Sequence, residues 1–85
     1  MLKSTLNWRP DFSRIRHPAY VTIADQIEEA IRDGIFKAGD RLPSLRAVSD
    51  DLGFHANTIL AAYREVARRG LVKGRGRAGT IVKEQ

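Results

Sequence analysis

Cysteine is absent from the chain, which excludes disulfides and thiolate-held metals. No apolar run approaches the roughly 20 residues of a membrane-spanning helix. The N-terminus, MLKSTLNWRPDF, has no apolar h-region, so no secretory signal is visible and a cytoplasmic protein is expected. Histidine occurs only at His17 and His55, far apart and outside any HExxH or similar ligand spacing. The adjacent carboxylates Asp50 and Asp51 point about 100° apart on a helix, so they read as solvated surface acids and not as a shared proton or metal site. The Walker pattern is missing as well. The sequence offers no set of residues for catalysis, and an enzyme is not expected.

What is present fits one small globular domain: 85 residues, 42% hydrophobic and 29% charged. The net charge is +5 and is unevenly placed, with eight basic against four acidic residues from 44 to 85. Six basic residues (Arg64, Arg68, Arg69, Lys73, Arg75, Arg77) stand between 64 and 77 with one acid, Glu65. A one-sided basic patch suggests a polyanion partner. The alternative is a solvated surface that serves solubility.

Residues 1–18 show no clear period, and Pro10 and Pro18 argue against a long helix there. They read as an arm that packs on the domain. From Ala19, the residues Tyr20, Ile23, Ala24, Ile27, Ala30 and Ile31 follow helical spacing, with Gly34 closing the element. Turn residues Ala38-Gly39-Asp40 follow, and Arg41-Leu42 has room only for a very short strand. Ser44 is a good N-cap for a second helix with Leu45, Val48 and Leu52 on one face, ended by Gly53. A third helix is predicted from about Ala56 to Arg69, burying Ile59, Ala62, Tyr63 and Val66, with Gly70 after it. Two β-rich runs around a glycine-containing loop then predict a hairpin over 71–83. The expected fold class is mainly α with a small β-hairpin.

KGRGRAGTIV contains Gly74-x-Gly76-x-x-Gly79, the spacing of a dinucleotide-binding loop. That reading requires a helix after the third glycine, whose positive end holds the pyrophosphate. Here Thr80-Ile81-Val82-Lys83 read as a strand, so the motif fails. The glycines instead read as the bend of the hairpin, with Arg75 and Arg77 at its tip. Those arginines could reach phosphates or a minor groove, or form only a flexible basic turn.

Two helices joined by a short glycine-containing turn form a helix-turn-helix, expected at about 45–64. Its second helix can enter the major groove and present its first residues to base edges. Asn57 can bind adenine through two hydrogen bonds, and the Thr58 methyl can meet that of thymine. Alternatively, both side chains only satisfy first-turn N–H groups. His55 can cap the helix, contact DNA or remain merely exposed.

GDRLPSLRAVSDDLGFHANTILAAYREVARRGLVKGRGRAGTIV resembles the winged helix-turn-helix domain of GntR-type bacterial transcription regulators. The resemblance rests on Gly39 to Ser44, Arg46, Leu52-Gly53, Asn57-Thr58, Tyr63, Arg69 to Leu71, and Gly79-Thr80-x-Val82, and covers residues 19–83. It implies sequence-specific binding to double-stranded operator DNA, with the third helix in the major groove and the wing in or near the minor groove. The implied contact residues are Ser44, Arg46, His55, Ala56, Asn57, Thr58, Tyr63, Arg64, Lys73, Arg75, Arg77, Gly79 and Thr80. Where many relatives have Ser-Arg this sequence has His55-Ala56, and Leu60 replaces a residue that is basic in some. Base readout then rests more on Asn57, Thr58, Arg64 and the wing. An RNA- or protein-binding winged helix is the alternative reading.

The arm and first helix, NWRPDFSRIRHPAYVTIADQIEEAI, are similar to the start of the MocR-type subgroup. There an aminotransferase-like domain follows and binds pyridoxal phosphate through a lysine. The expectation is no cofactor within these 85 residues, and pyridoxal phosphate only in a C-terminal domain outside them. By itself the domain is expected to be a monomer or weak dimer, and any full-length regulator a dimer.

Overall fold

The computed structural model describes residues 8–74 and 79–84. Helices α1 (Ala19–Arg32), α2 (Leu45–Leu52) and α3 (Ala56–Arg68) precede strands β1 (Val72–Gly74) and β2 (Thr80–Val82). This is the expected winged helix-turn-helix order.

Each helix contributes its apolar stripe to one core. From α1 come Ile23, Ala24, Ile27 and Ala30, from α2 Val48, and from α3 Ile59, Ala62, Tyr63 and Val66. Phe36, Leu42, Val72 and Val82 complete it. The Ser44 hydroxyl accepts from the Ala47 N–H and so caps α2. Gly53 ends α2 at φ 77°, a left-handed conformation that side chains disfavour. That bend lets α3 start with only three residues, Gly53 to His55, between it and α2.

The hairpin pairs antiparallel, with Val72 opposite Val82, Lys73 opposite Ile81 and Gly74 opposite Thr80. The other edge of β2 is not left open. A bridge joins Arg41 to Ile81. The Leu42 N–H donates to the Thr80 carbonyl, and the Val82 N–H to that of Asp40, both at 2.8 Å. The wing base is thereby tied to the segment that leads into α2.

The arm is a strap, not a loose tail, from Trp8 onward. Trp8 packs edge-on against Phe36, with ring centroids 5.2 Å apart. Gln26, on the buried face of α1, takes the Asp11 N–H with its Oε1 and donates its Nε2 to the Asp11 carbonyl. Arg9 pairs with Asp51 at 2.5 Å and Arg14 with Glu29 at 2.8 Å. Phe12 lies 5.9 Å from Phe54, in the turn between α2 and α3. Residues 1–7 of the predicted arm lie outside the described residues.

Tyr20 departs from expectation. Helical spacing places it on the apolar face of α1, yet it is 39% exposed. It sits in the first turn, where the helix has just begun to cover the core.

An ion-pair cluster fastens the far end of α3 to α1. Arg68 donates to Glu65 from Nε and Nη2, and Arg69 donates to the same carboxylate from Nε. Arg69 Nη1 also reaches Asp25 at 2.9 Å and Glu28 at 2.8 Å. The hydrogen bonds from Arg68, then Arg69, hold the Glu65 carboxyl at about 2, against its ordinary 4.5. A carboxyl depressed on folding adds stability that is fully present above its unfolded pKa. The contribution disappears as pH falls through the folded value. Melting temperature is therefore expected to drop between pH 4.5 and about 2, and Glu65→Gln to flatten that part of the profile. An unchanged acid limb in the variant would assign acid sensitivity to other carboxylates.

A candidate nucleic-acid interface

The start of α3 is exposed in the way a reading helix requires. His55 precedes the helix in an extended conformation and makes no side-chain capping bond. The capping role open to it in the sequence is therefore not taken. His55, Ala56 and Asn57 are exposed and Thr58 is half-buried. Among the described residues, the side chains of Asn57 and Thr58 take no part in capping α3, whose first bond runs from the Thr58 N–H to the His55 carbonyl at 2.9 Å. Asn57 thus keeps a free amide, able to donate and accept at one planar edge.

Asn57 is not isolated. It shares a shallow groove with Tyr20, Leu60, Ala61, Arg64 and Arg68. An adjoining hollow carries Asn57 and Thr58 on to His17, Pro18 and Phe54. Tyr20, placed by its spacing on the apolar face of α1, therefore lines the same groove as two predicted contact residues, Asn57 and Arg64. Its place two residues after Pro18, in the opening turn of α1, is the only sequence signal for this.

A second group gathers where α2 begins. Ser44 and Arg46 are exposed, and Arg46 has no ion-pair partner among the described residues. Thr80 is joined to this region through the bond from the Leu42 N–H to its carbonyl. Gly79 precedes it at φ 87°. Lys73 is exposed on β1, opposite Ile81. The predicted tip residues Arg75 and Arg77 lie outside the described residues.

Tyr63 differs from the rest of the predicted set in being buried. It is 6% exposed, and its hydroxyl donates to the Pro43 carbonyl at 2.5 Å. Burial pushes that hydroxyl above its ordinary range, so it stays a donor. Tyr63 therefore keeps little free surface, and its hydroxyl is already spent on Pro43. It ties α3 to the residue just before the α2 cap and sets the position of the two helix starts.

The basic run also divides. Arg68 and Arg69 are neutralised by Glu65, Asp25 and Glu28. Arg64, one turn nearer the start of α3, is exposed and has no such partner among the described residues. Among the described residues no buried side-chain polar atom lacks a hydrogen bond, and no cluster of His, Asp and Glu could hold a metal. The available chemistry is that of a surface: a free amide, unpaired guanidinium groups and a bordering groove.

A sequence profile described as bacterial regulatory proteins, gntR family, matches residues 19–82. Over 65 residues the chain is 37% identical to the HTH-type transcriptional regulator Rv1152 of Mycobacterium tuberculosis, covering 76% of this chain and 54% of that protein. Over 67 residues it is 36% identical to the HTH-type transcriptional repressor YtrA of Bacillus subtilis, covering 79% of this chain and 52% of the other. The chain thus spans about half the length of these curated relatives. The solved structure of YtrA from Sulfolobus acidocaldarius, a GntR-family transcription factor, superposes with a TM-score of 0.75 at 36% identity, over 82% of this chain and 73% of that one. No helix among the described residues is long and apolar enough to cross a membrane.

Proposed function

Given that this chain belongs to the gntR family of bacterial regulatory proteins, we propose that it binds double-stranded operator DNA and so regulates transcription in the cytoplasm. The observation that carries the reading is the exposed start of α3. Asn57 offers a free amide edge there, and Arg64 in the same groove is unpaired, while the arginines at the other end are neutralised. The names of the relatives, regulator and repressor, support it.

In this reading α3 lies in the major groove and reads bases with Asn57 and Thr58, next to His55 and Ala56. Arg46, Ser44, Arg64 and Lys73 hold phosphates, and Gly79 and Thr80 bring the wing backbone close. Arg75 and Arg77 join the set on sequence grounds alone. The domain alone is a monomer or weak dimer, and two copies occupy paired half-sites when further chain joins them. It has no catalytic role and needs no cofactor. The finer placement, in the MocR-type subgroup, rests on the arm sequence before α1. An aminotransferase-like domain holding pyridoxal phosphate beyond Gln85 in the natural polypeptide would support it, and a natural chain without one would reject it.

A salt titration with a random-sequence duplex, followed by fluorescence anisotropy, tests the central claim. Five or six phosphate contacts predict a log–log slope of about −5. Arg46→Ala is expected to reduce that slope by about 1 and to weaken binding evenly across sequences. Its melting temperature should stay that of the parent. A wild-type slope near zero, or tighter binding to an RNA competitor, rejects the DNA reading.

A further inference from the structure

We infer that Arg41 is a further phosphate-contacting residue, held at the junction of the wing and α2 by Gly79; this rests on the DNA-binding reading above. Four observations on the molecule lead to it.

First, backbone pairing fixes where Arg41 is. It bridges Ile81 of β2, and the next residue donates its N–H to the Thr80 carbonyl. Three residues later Ser44 caps α2, and Arg46 follows in its first turn. Arg41 therefore occupies the short connection between two parts of the proposed interface.

Second, side chains alternate along an extended segment. Leu42 points inward and is 2% exposed, so Arg41 points out and is exposed.

Third, the stem of Arg41 runs over Gly79. A Cβ on Gly79 would lie 3.1 Å from Arg41 Cδ and 3.5 Å from Cγ. Gly79 thus has two reasons to be glycine, its φ of 87° and the passage of this side chain. The contact lays the stem of Arg41 along the wing base and limits the freedom it would lose on binding. Less ordering cost on binding leaves more of each contact as affinity.

Fourth, the charge is uncompensated. The neighbouring acid, Asp40, is turned back to accept the Lys37 N–H at 2.8 Å. No carboxylate pairs with Arg41 among the described residues. An outward guanidinium at this junction suits a phosphate, whose oxygens accept two of its parallel N–H groups.

The experiment compares wild type, Arg41→Gln and Arg41→Lys by anisotropy on a random-sequence duplex over a range of salt, with thermal melts alongside. Arg41→Gln keeps most of the stem against Gly79 and removes only the charge. Its expected result is severalfold weaker binding and a log–log slope smaller in magnitude by about 1. Arg41→Lys should retain the wild-type slope. A Gln variant with the wild-type slope overturns the inference, even if its melting temperature and affinity fall, because Arg41 then acts only through packing. A Lys variant that loses slope as Gln does also overturns it. Wild-type protein with no salt-dependent binding rejects the DNA-binding reading itself, and this inference with it.

Discussion

Replacing Ile59 by alanine lowers the unfolding free energy by about 2–5 kcal/mol, the usual range for truncating a fully buried isoleucine. Ile59 is the first inward residue of α3 and is completely buried, in one cluster with Ile23, Ile27 and Val48. Its helix packs on both α1 and α2, and the core it belongs to draws on all three. At about 0.05–0.15 kcal/mol per residue, a chain this long has only about 4–13 kcal/mol in total. The loss therefore takes a large share of it, and the melting temperature should fall by about 10 °C or more. Ile35→Ala is the control, since Ile35 is 50% exposed and should shift stability by less than about 0.5 kcal/mol. Urea melts of both variants check this. A loss below about 1 kcal/mol at Ile59 would mean that the core is not centred where α3 begins.

Asn57→Ala should have the largest effect on recognition and almost none on folding. A well-placed pair of hydrogen bonds from asparagine to adenine discriminates against the wrong base by about 1–3 kcal/mol. The variant should lose that much preference for a duplex selected from a random pool while keeping its binding to random duplex. Alanine is also the better helix former, so stability should hold or rise slightly. The alternative role, capping first-turn N–H groups, predicts the opposite: a stability loss of about 1 kcal/mol with sequence preference intact. Equal losses on selected and random DNA would make Asn57 a positioning residue.

These two neighbours show what the sequence makes legible. Apolar residues at helical spacing predict Ile59 inside and Asn57 outside, and both positions hold. Helix ends are equally readable, because Ser44 caps α2 with its own hydroxyl and glycines follow each helix. The legible signals are local ones. Tyr20 fits the apolar spacing of α1 but lies in its first turn, where no neighbour covers it. Tyr63 matches a contact pattern, and only the fold shows its hydroxyl spent on Pro43, 20 residues away. The joining of Arg69 to Glu28 spans 41 residues, and the strap from Arg9 to Asp51 spans 42. Pairings at that separation leave no period in the sequence. The passage of Arg41 over Gly79 was equally hidden, since it depends on strand pairing.

The carboxylates around Arg69 also give the molecule a direction. Glu65, Glu28 and Asp25 cancel the positive field at the far end of α3, while Arg64 leaves it standing toward the start. A polyanion arriving by diffusion is turned by that gradient before it touches, so fewer encounters are wasted on the wrong end. In the proposed DNA-binding reading, the acidic cluster bears on the approach of DNA as well as on how firmly α3 is anchored. Discharging Glu65 would release Arg68, while Arg69 keeps Asp25 and Glu28, and Arg68 would then compete with Arg64 for the same incoming strand.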